Sequence, residues 1–313
     1  MKKMINSERI EGRVYQHNLE IKTVQNKESA NYGKEFISGT LDVATDEDGL
    51  NVLSTHFTYV TEMTSSGKIS PTYGVLKNII ENGRTWLTDG KDAAMKVRIN
   101  TALALNDFYN NEDQLVSAKR NEGGFVNIVN GALAPEIERN TFDFDILITS
   151  VNPVENENGN YLTLRGAIFN FRNAILPVEL VVRSEDGMRY FESLDVTNAS
   201  PVFTEVKGKI VSTTIEKKIE EESAFGSASV RTVSRTTREW VVEWARPVEY
   251  DYGSEDVLTA EDIQKAIQDR EVYLAGIKKR RDDYMASRAA ATSTANTNSS
   301  TSIPSGPAGG FNF

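Results

Sequence analysis

The chain of 313 residues contains no cysteine and only two histidines, His17 and His56. The absence of cysteine excludes disulfides, cysteine-ligated zinc and a thiol nucleophile. Histidine and carboxylate side chains show no metal-ligand spacing, and the sequence has neither a Gly-x-Ser-x-Gly turn nor a phosphate-binding Gly-rich loop. We therefore expect a protein that is not an enzyme and that uses no metal and no cofactor.

Long apolar runs are also absent, and none approaches the roughly 20 residues that a membrane-spanning helix needs. The first residues are polar and lack the apolar stretch of a secretory signal, so cytoplasmic residence is the simplest expectation. The net charge is −10, from 35 basic and 45 acidic residues. This excludes a uniformly basic nucleic-acid binder, but a local basic groove can lie on an acidic body. Binding to nucleic acid would then depend more on base stacking.

What the sequence does contain, up to about residue 248, is an alternation of apolar and polar residues with the period of a β-strand. The first half predicts three strands, a short helix capped by Ser70 with Pro71 at its first position, and two further strands. The second half repeats this order of elements. In each half the second predicted strand has a central glycine, Gly39 and Gly166, where a strongly coiled strand would bend.

The OB-fold, a small Greek-key barrel, has this order of elements, with a helix between the third and fourth of its five strands. The sequence therefore predicts a mainly β protein with two tandem OB-like five-stranded barrels, over residues 8–140 and 141–248. Two β-sandwich domains are the alternative.

The C-terminal part has a different composition. Residues 249–288 predict a linker and an α-helix, because Thr259-Ala260-Glu261-Asp262 resembles a capping box and a narrow apolar stripe follows it. We expect this stripe to pack on the helix's own domain rather than on a partner. Residues 289–313 are mainly Ala, Ser, Thr, Asn, Gly and Pro, which predicts a disordered tail.

Candidate nucleic-acid contacts are outward aromatic rings for stacking and nearby cations for phosphates. The predicted DNA-binding residues are Lys34, Phe36, His56, Lys96, Arg98, Phe108, Tyr109, Arg165, Phe169, Phe171 and Arg172, and Lys119 and Arg120 follow the loop aromatics. The cluster at residues 165–172 is the best candidate, because exposed aromatics between cations need an explanation. For any single position the alternative is a ring packed beneath a loop or a solvated arginine. Trp240 and Trp244 lie on the apolar face and are predicted to be core residues.

Three stretches give the chain a family resemblance: Glu35–Leu41, Leu105–Tyr109 and Val206–Ser212. In these the sequence resembles the OB-fold single-stranded DNA-binding proteins encoded with phage and plasmid replication genes. The resemblance implies single-stranded DNA as a partner and a flexible tail whose aromatic end, here Phe311 and Phe313, recruits replication proteins. The chain departs from the family in lacking the acidic run before that end, since residues 292–310 contain no Asp or Glu.

The leading functional hypothesis is a protein that coats and protects single-stranded DNA during phage replication or recombination, without strong sequence preference and with oligomerisation possible. Two alternatives stay open. One is a phage structural or assembly protein, and the other is a replication adaptor that does not bind DNA.

Overall fold

The computed structural model describes residues 4–64, 66–155, 159–221, 229–248 and 258–297. The first half contains strands β1 (Asn6–His17), β2 (Glu20–Thr23), β3 (Glu35–Ala44), β4 (Val52–Thr61), β5 (Lys96–Tyr109) and β6 (Leu115–Ile128), with helices α1 (Pro71–Asn82) and α2 (Trp86–Asp89) between β4 and β5. The second half contains β7 (Asn140–Val154), β8 (Tyr161–Phe169), β9 (Ile175–Val182), helix α3 (Glu185–Glu192), β10 (Val202–Glu221) and β11 (Ser229–Ala245). Helix α4 (Ala260–Thr297) follows. None of the helices in these ranges is long and apolar enough to cross a membrane.

Each half closes into a barrel with the same strand order. In the first, β1 pairs with β3 and β5, β5 with β6, β6 in parallel with β4, and β4 with β3. In the second, β7 pairs with β8 and β10, β8 with β9, β9 in parallel with β11, and β11 with β10. This is the closed Greek-key connectivity of the OB-fold. The predicted fold class is confirmed, and the sandwich alternative is wrong.

Local sequence explains how these barrels close. Ser70 caps α1 by accepting a hydrogen bond from the backbone N–H of Tyr73 (3.3 Å), and α1 buries Leu76 and Ile79 in the core. A Cβ on Gly166 would lie 2.2 Å from the carbonyl oxygen of Leu147, so the two strands approach closely only because this residue is glycine.

The two barrels are joined as one continuous sheet. Strand β1 pairs with β7 from Asn6↔Phe144 to Ile10↔Asn140, and one hydrophobic cluster contains residues of both barrels. Away from this seam, the side chain of Asn51 donates to the carbonyl oxygen of Ile210 (3.2 Å) and accepts from the backbone N–H of Ser212 (2.8 Å).

Helix α4 begins at the predicted capping box, where the hydroxyl of Thr259 accepts from the backbone N–H of Asp262 (3.1 Å) and donates to its carboxylate (2.8 Å). Its buried Ala266 packs on the second barrel, and Arg270 pairs with Asp107 of β5 (2.8 Å), so the helix contacts both barrels. The helix continues to Thr297, beyond its predicted end at residue 288. Phe311 and Phe313 lie outside the described residues.

Candidate nucleic-acid interface

Two aromatic rings meet on the outer surface of the first barrel. Phe36 of β3 and Tyr59 of β4 have ring centroids 4.7 Å apart, and Tyr59 is 46% exposed. Lys22 of β2 lies directly opposite Phe36 in the antiparallel register, and Lys34 precedes β3. We call these four residues the aromatic patch. It combines flat faces on which bases can stack with cations that can contact phosphates.

Tyr59 is a residue that simple alternation misses. Buried Leu53, Thr55 and Phe57 imply that Tyr59 also points inward. A β-bulge changes this, because Ile37 pairs with Val60 whereas Gly39 pairs with Phe57, which leaves one extra residue on β4. Thr58 and Tyr59 are consequently both exposed.

The cations of the aromatic patch keep donors for a ligand. The ammonium of Lys34 donates to the side chain of Asn31 (3.1 Å), and that of Lys22 pairs with Glu20 (3.1 Å). An ammonium has three N–H groups, so this one contact does not saturate either lysine. A groove of about 550 Å³ next to the patch is lined by Lys34 and Tyr59 but also by Glu35 and Glu62. The local charge is therefore mixed, and stacking has to supply much of any affinity.

The predicted aromatics of the β5–β6 hairpin have different environments. Phe108 is partly exposed. Tyr109 is covered by two cations of α4, since the Nζ of Lys278 lies 5.1 Å and the Cζ of Arg281 5.8 Å from the ring centroid. Tyr109 is thus engaged inside the protein, while Phe108 stays accessible.

The best-placed predicted residues of the second barrel lie in the loop after β8. Phe171 is 74% exposed, with the guanidinium carbon of Arg172 5.1 Å from its ring centroid. The side chain of Asn170 fixes this loop by accepting from the backbone N–H groups of Arg172 and Ala174, both at 2.9 Å. Arg165 is exposed on β8 and pairs with Glu179 (2.8 Å).

Phe169 is wrongly predicted as an exposed residue. It lies on the outer face of β8, as alternation indicates, but this face is covered by α4 and the side chain is 0% exposed. It packs in a cluster with Met4, Leu258 and Ala266. The Phe169 ring is therefore not available for base stacking, and only the other residues of the predicted cluster at 165–172 remain candidates.

The two tryptophans of β11 also differ in environment. Trp240 is buried, as predicted, but Trp244 is 45% exposed, so its predicted core position is wrong. The physical reason is again a β-bulge: Lys207 pairs with Trp244 while Gly208 pairs with Val242, which reverses the alternation of β11 at this end.

Three predicted cationic or titratable residues lie away from the aromatic patch or are tied to other groups. Arg98 donates to Glu11 (2.6 Å), a hydrogen bond that raises the pKa of Arg98. Lys96 donates to the carbonyl oxygen of Gly131 (3.1 Å). His56 is half-buried, and burial, with repulsion from Arg120 and Arg238, lowers its pKa.

A cleft of about 960 Å³ separates the barrels on the side of β4 and β10. Its lining includes Lys119 of β6 and Arg238 of β11. Arg238 is a second residue that sequence reasoning missed, since nothing in the local pattern of β11 shows that a second barrel faces it. Among the described residues, no group of three His, Asp or Glu side chains could hold a metal ion.

Comparison with known proteins gives one family and a distant structural likeness. No curated protein matches the chain in sequence. Two structures of the single-stranded DNA-binding protein from Thermus aquaticus are similar to it, each with a TM-score of 0.47 and 11% sequence identity. The deletion variant covers 82% of this chain and 100% of its own, and the wild type covers 81% and 98%. The YorF family model matches residues 5–280, and the chain therefore belongs to the YorF family.

Proposed function

We propose that this protein binds single-stranded DNA without strong sequence preference. The observation that carries the proposal is the ring pair of exposed Tyr59 and half-buried Phe36 on the outside of a closed OB-like barrel, next to Lys22 and Lys34. Stacking on an aromatic ring tolerates every base, because every base has a π-face. A surface of this kind binds a DNA strand through the faces of its bases and does not distinguish one base from another.

The magnitudes favour stacking as the main source of affinity. Each base–aromatic stack contributes roughly 1–3 kcal/mol. Tyr59, Phe108 and Phe171 offer three exposed rings on the two barrels, and half-buried Phe36 offers a fourth. A few such stacks can support binding even though the chain carries a net charge of −10.

The same proposal covers the biological role. Sequence-independent contacts suit a protein that coats and protects single-stranded DNA during phage or plasmid replication or recombination. We place this role in the cytoplasm and assign no catalytic step to it. The resemblance of residues 35–41, 105–109 and 206–212 to phage and plasmid DNA-binding proteins supports this assignment.

A fluorescent oligo-dT titrated with the full chain tests the proposal. We expect binding at low salt that weakens steeply as salt rises. Phe36→Ala and Tyr59→Ala should each weaken binding by roughly 1–3 kcal/mol, because each removes one stacking face. Phe125→Ala is the matched control, since Phe125 is also exposed but lies on β6 and is not part of the aromatic patch.

The outcomes separate the hypotheses. If the wild-type chain does not bind oligo-dT at low salt, the proposed function is wrong. A stable homo-oligomer that ignores DNA would then favour the structural or assembly role. Equal weakening by Phe36→Ala and Phe125→Ala would show that the aromatic patch is not the binding surface.

A further inference from the structure

The cleft between the two barrels has the features of an anion site. It measures about 960 Å³ and is lined from the first barrel by the β3–β4 loop, β4 and β6, and from the second by β10 and β11. We call it the inter-barrel cleft. A ligand in it would touch both barrels at once.

Arg238 lines this cleft with unused hydrogen-bonding capacity. Its Nε–H is buried and has no hydrogen-bond partner within the described ranges. Burial lowers the pKa of Arg238, although a guanidinium remains charged at neutral pH. Glu8 and Asp42 are the acidic groups that attract it, but burial raises the pKa of Glu8 to about 8, which favours the neutral carboxyl at pH 7. A buried donor without an acceptor is costly unless a ligand supplies one.

Lys119 provides a second cation in the same cleft. Its ammonium donates to the carbonyl oxygen of Glu179 (2.9 Å) and lies 4.8 Å from the centroid of the Trp240 ring. Burial lowers its pKa. A partly desolvated ammonium attracts an anion more strongly than one in water, because the local dielectric constant is lower.

The remaining lining is neutral or already satisfied. Asp46 is the single carboxylate among the described lining residues, and its two oxygens accept from the backbone N–H groups of Leu50 (2.9 Å) and Asn51 (3.1 Å). The hydroxyls of Thr214 and Thr236 are hydrogen-bonded to each other (2.9 Å) at the exposed side of the cleft, which leaves one hydroxyl hydrogen of the pair to donate to a ligand. Arg238 and Lys119 carry two positive charges against the one negative charge of Asp46, so the lining favours a negatively charged ligand with several acceptor oxygens.

We propose that the inter-barrel cleft binds a phosphate group, and that this group is a phosphodiester of the DNA strand as it passes from one barrel to the other. The inference rests on the proposed function for the identity of the strand. Arg238 and Lys119 supply the charge, and the Thr214–Thr236 pair supplies one neutral donor.

Salt titrations of the full chain with an oligo-dT long enough to reach both barrels test the cleft. Arg238→Gln should weaken binding about tenfold at low salt, since it removes one charge-assisted hydrogen-bonding group. The slope of log K against log salt should become shallower by about 0.7, the value for one phosphate of a single strand. Thr214→Asp places a carboxylate at the exposed mouth and should weaken binding at least as much, and its melting temperature is measured to show that the variant is folded.

Arg189→Gln is the matched control. Arg189 is an exposed arginine on α3 that pairs with Asp186 and is not a lining residue of the cleft. The substitution changes the net charge as Arg238→Gln does, so it should bind within about twofold of wild type if the effect is local.

The binding results distinguish the cleft proposal from the proposed function. If Arg238→Gln and Thr214→Asp keep the wild-type affinity and slope while Phe36→Ala weakens binding, the cleft proposal is overturned and the proposed function stands. If the wild-type chain binds no DNA, the proposed function fails, and inorganic phosphate is titrated by calorimetry instead. Phosphate binding that Arg238→Gln abolishes would retain the anion site with a free phosphate or nucleotide as its source. No phosphate binding would overturn the cleft as well.

Discussion

A buried carboxylate lies where the two barrels meet. Glu8 of β1 accepts a hydrogen bond from the indole N–H of Trp240 of β11 (2.7 Å). Burial outweighs this bond and the attraction of Arg238, and it raises the pKa of Glu8 to about 8. An unfolded chain has a glutamate pKa near 4.5, so the folded state holds the proton more tightly between pH 4.5 and 8. Glu8 therefore makes the protein less stable as the pH rises through this window.

Replacing Glu8 with glutamine should remove that loss of stability. Glu8→Gln keeps an oxygen that accepts from Trp240 but cannot ionise. Relative to wild type, we expect the variant to gain stability as the pH rises from 5 to 8.5, by an amount on the order of a few kcal/mol. Urea unfolding at both pH values measures the difference. Parallel stability curves for the two proteins would contradict this prediction.

Glu11 affects the pH dependence of stability in the direction opposite to Glu8. Burial alone raises its pKa, but hydrogen bonds from Arg98, the backbone N–H of Ala134 and Arg9 lower it to about 2. Its contribution to stability is present above about pH 4.5 and is lost as the pH falls toward 2. Glu11→Gln should therefore destabilise the protein at pH 7, where Glu8→Gln does not.

The neighbouring phenylalanines Phe169 and Phe171 should separate packing from binding. Phe169→Ala removes a fully buried ring beneath α4 and should lower the free energy of unfolding by roughly 3–5 kcal/mol. Phe171→Ala removes an exposed ring and should leave stability within about 0.5 kcal/mol of wild type while weakening binding to oligo-dT. Urea unfolding and fluorescence titration of both variants check this. Equal stabilities would show that α4 does not cover Phe169.

At the scale of elements, α4 holds the β5–β6 hairpin through ion pairs to two aspartates that differ in burial. Arg270 and Asp107 are nearly inaccessible, whereas Asp113, which pairs with Lys278 (3.3 Å) and Arg281, is more than half exposed. Breaking a buried pair leaves an uncompensated charge and costs roughly 3–5 kcal/mol, while an exposed pair contributes at most about 1 kcal/mol.

Asp107→Asn should therefore loosen α4 far more than Asp113→Asn. Hydrogen exchange of the backbone amides in residues 262–281 measures this directly, because local opening of the helix exposes them. We expect much faster exchange in Asp107→Asn and nearly wild-type exchange in Asp113→Asn. The same exchange rate in both variants would mean that the helix is held by its apolar contacts alone.

The sequence predicts elements well where local physics decides them. The Ser70 cap, the capping box at Thr259 and the alternation of β3 all follow from residues close in sequence. It fails where tertiary contacts or bulges intervene. Two bulges reverse the alternation and expose Tyr59 and Trp244, and α4 covers Phe169 from about 90 residues away along the chain. Which cations face the inter-barrel cleft depends on how the barrels dock, which no local pattern contains.

At the scale of the whole molecule, the barrels share structure. Strand β1 pairs with β3 and β5 of its own barrel and with β7 of the other, so unfolding of β1 would disrupt both barrels. The side chain of Asn51 bridges to the backbone of Ile210 and Ser212, about 160 residues away. A single hydrophobic cluster contains residues from both barrels. These connections couple the stability of the two barrels.

The barrels should consequently unfold in one cooperative transition. In a Trp86→Phe variant the remaining tryptophan fluorescence comes from Trp240 and Trp244 of the second barrel, while far-UV circular dichroism reports both barrels. We expect the two urea curves to superimpose, because coincident probes are the signature of two-state unfolding. Adding Asn51→Ala should shift both curves together to lower urea, with a loss of about 1–3 kcal/mol in the free energy of unfolding. The backbone N–H of Ser212 loses its acceptor, whereas the carbonyl oxygen of Ile210 keeps a hydrogen bond from Asn140 (2.9 Å). Separated curves would mean that the contact between β1 and β7 is weaker than the core of either barrel. A DNA strand bound across the inter-barrel cleft would then be needed to keep the two barrels in a fixed relative position.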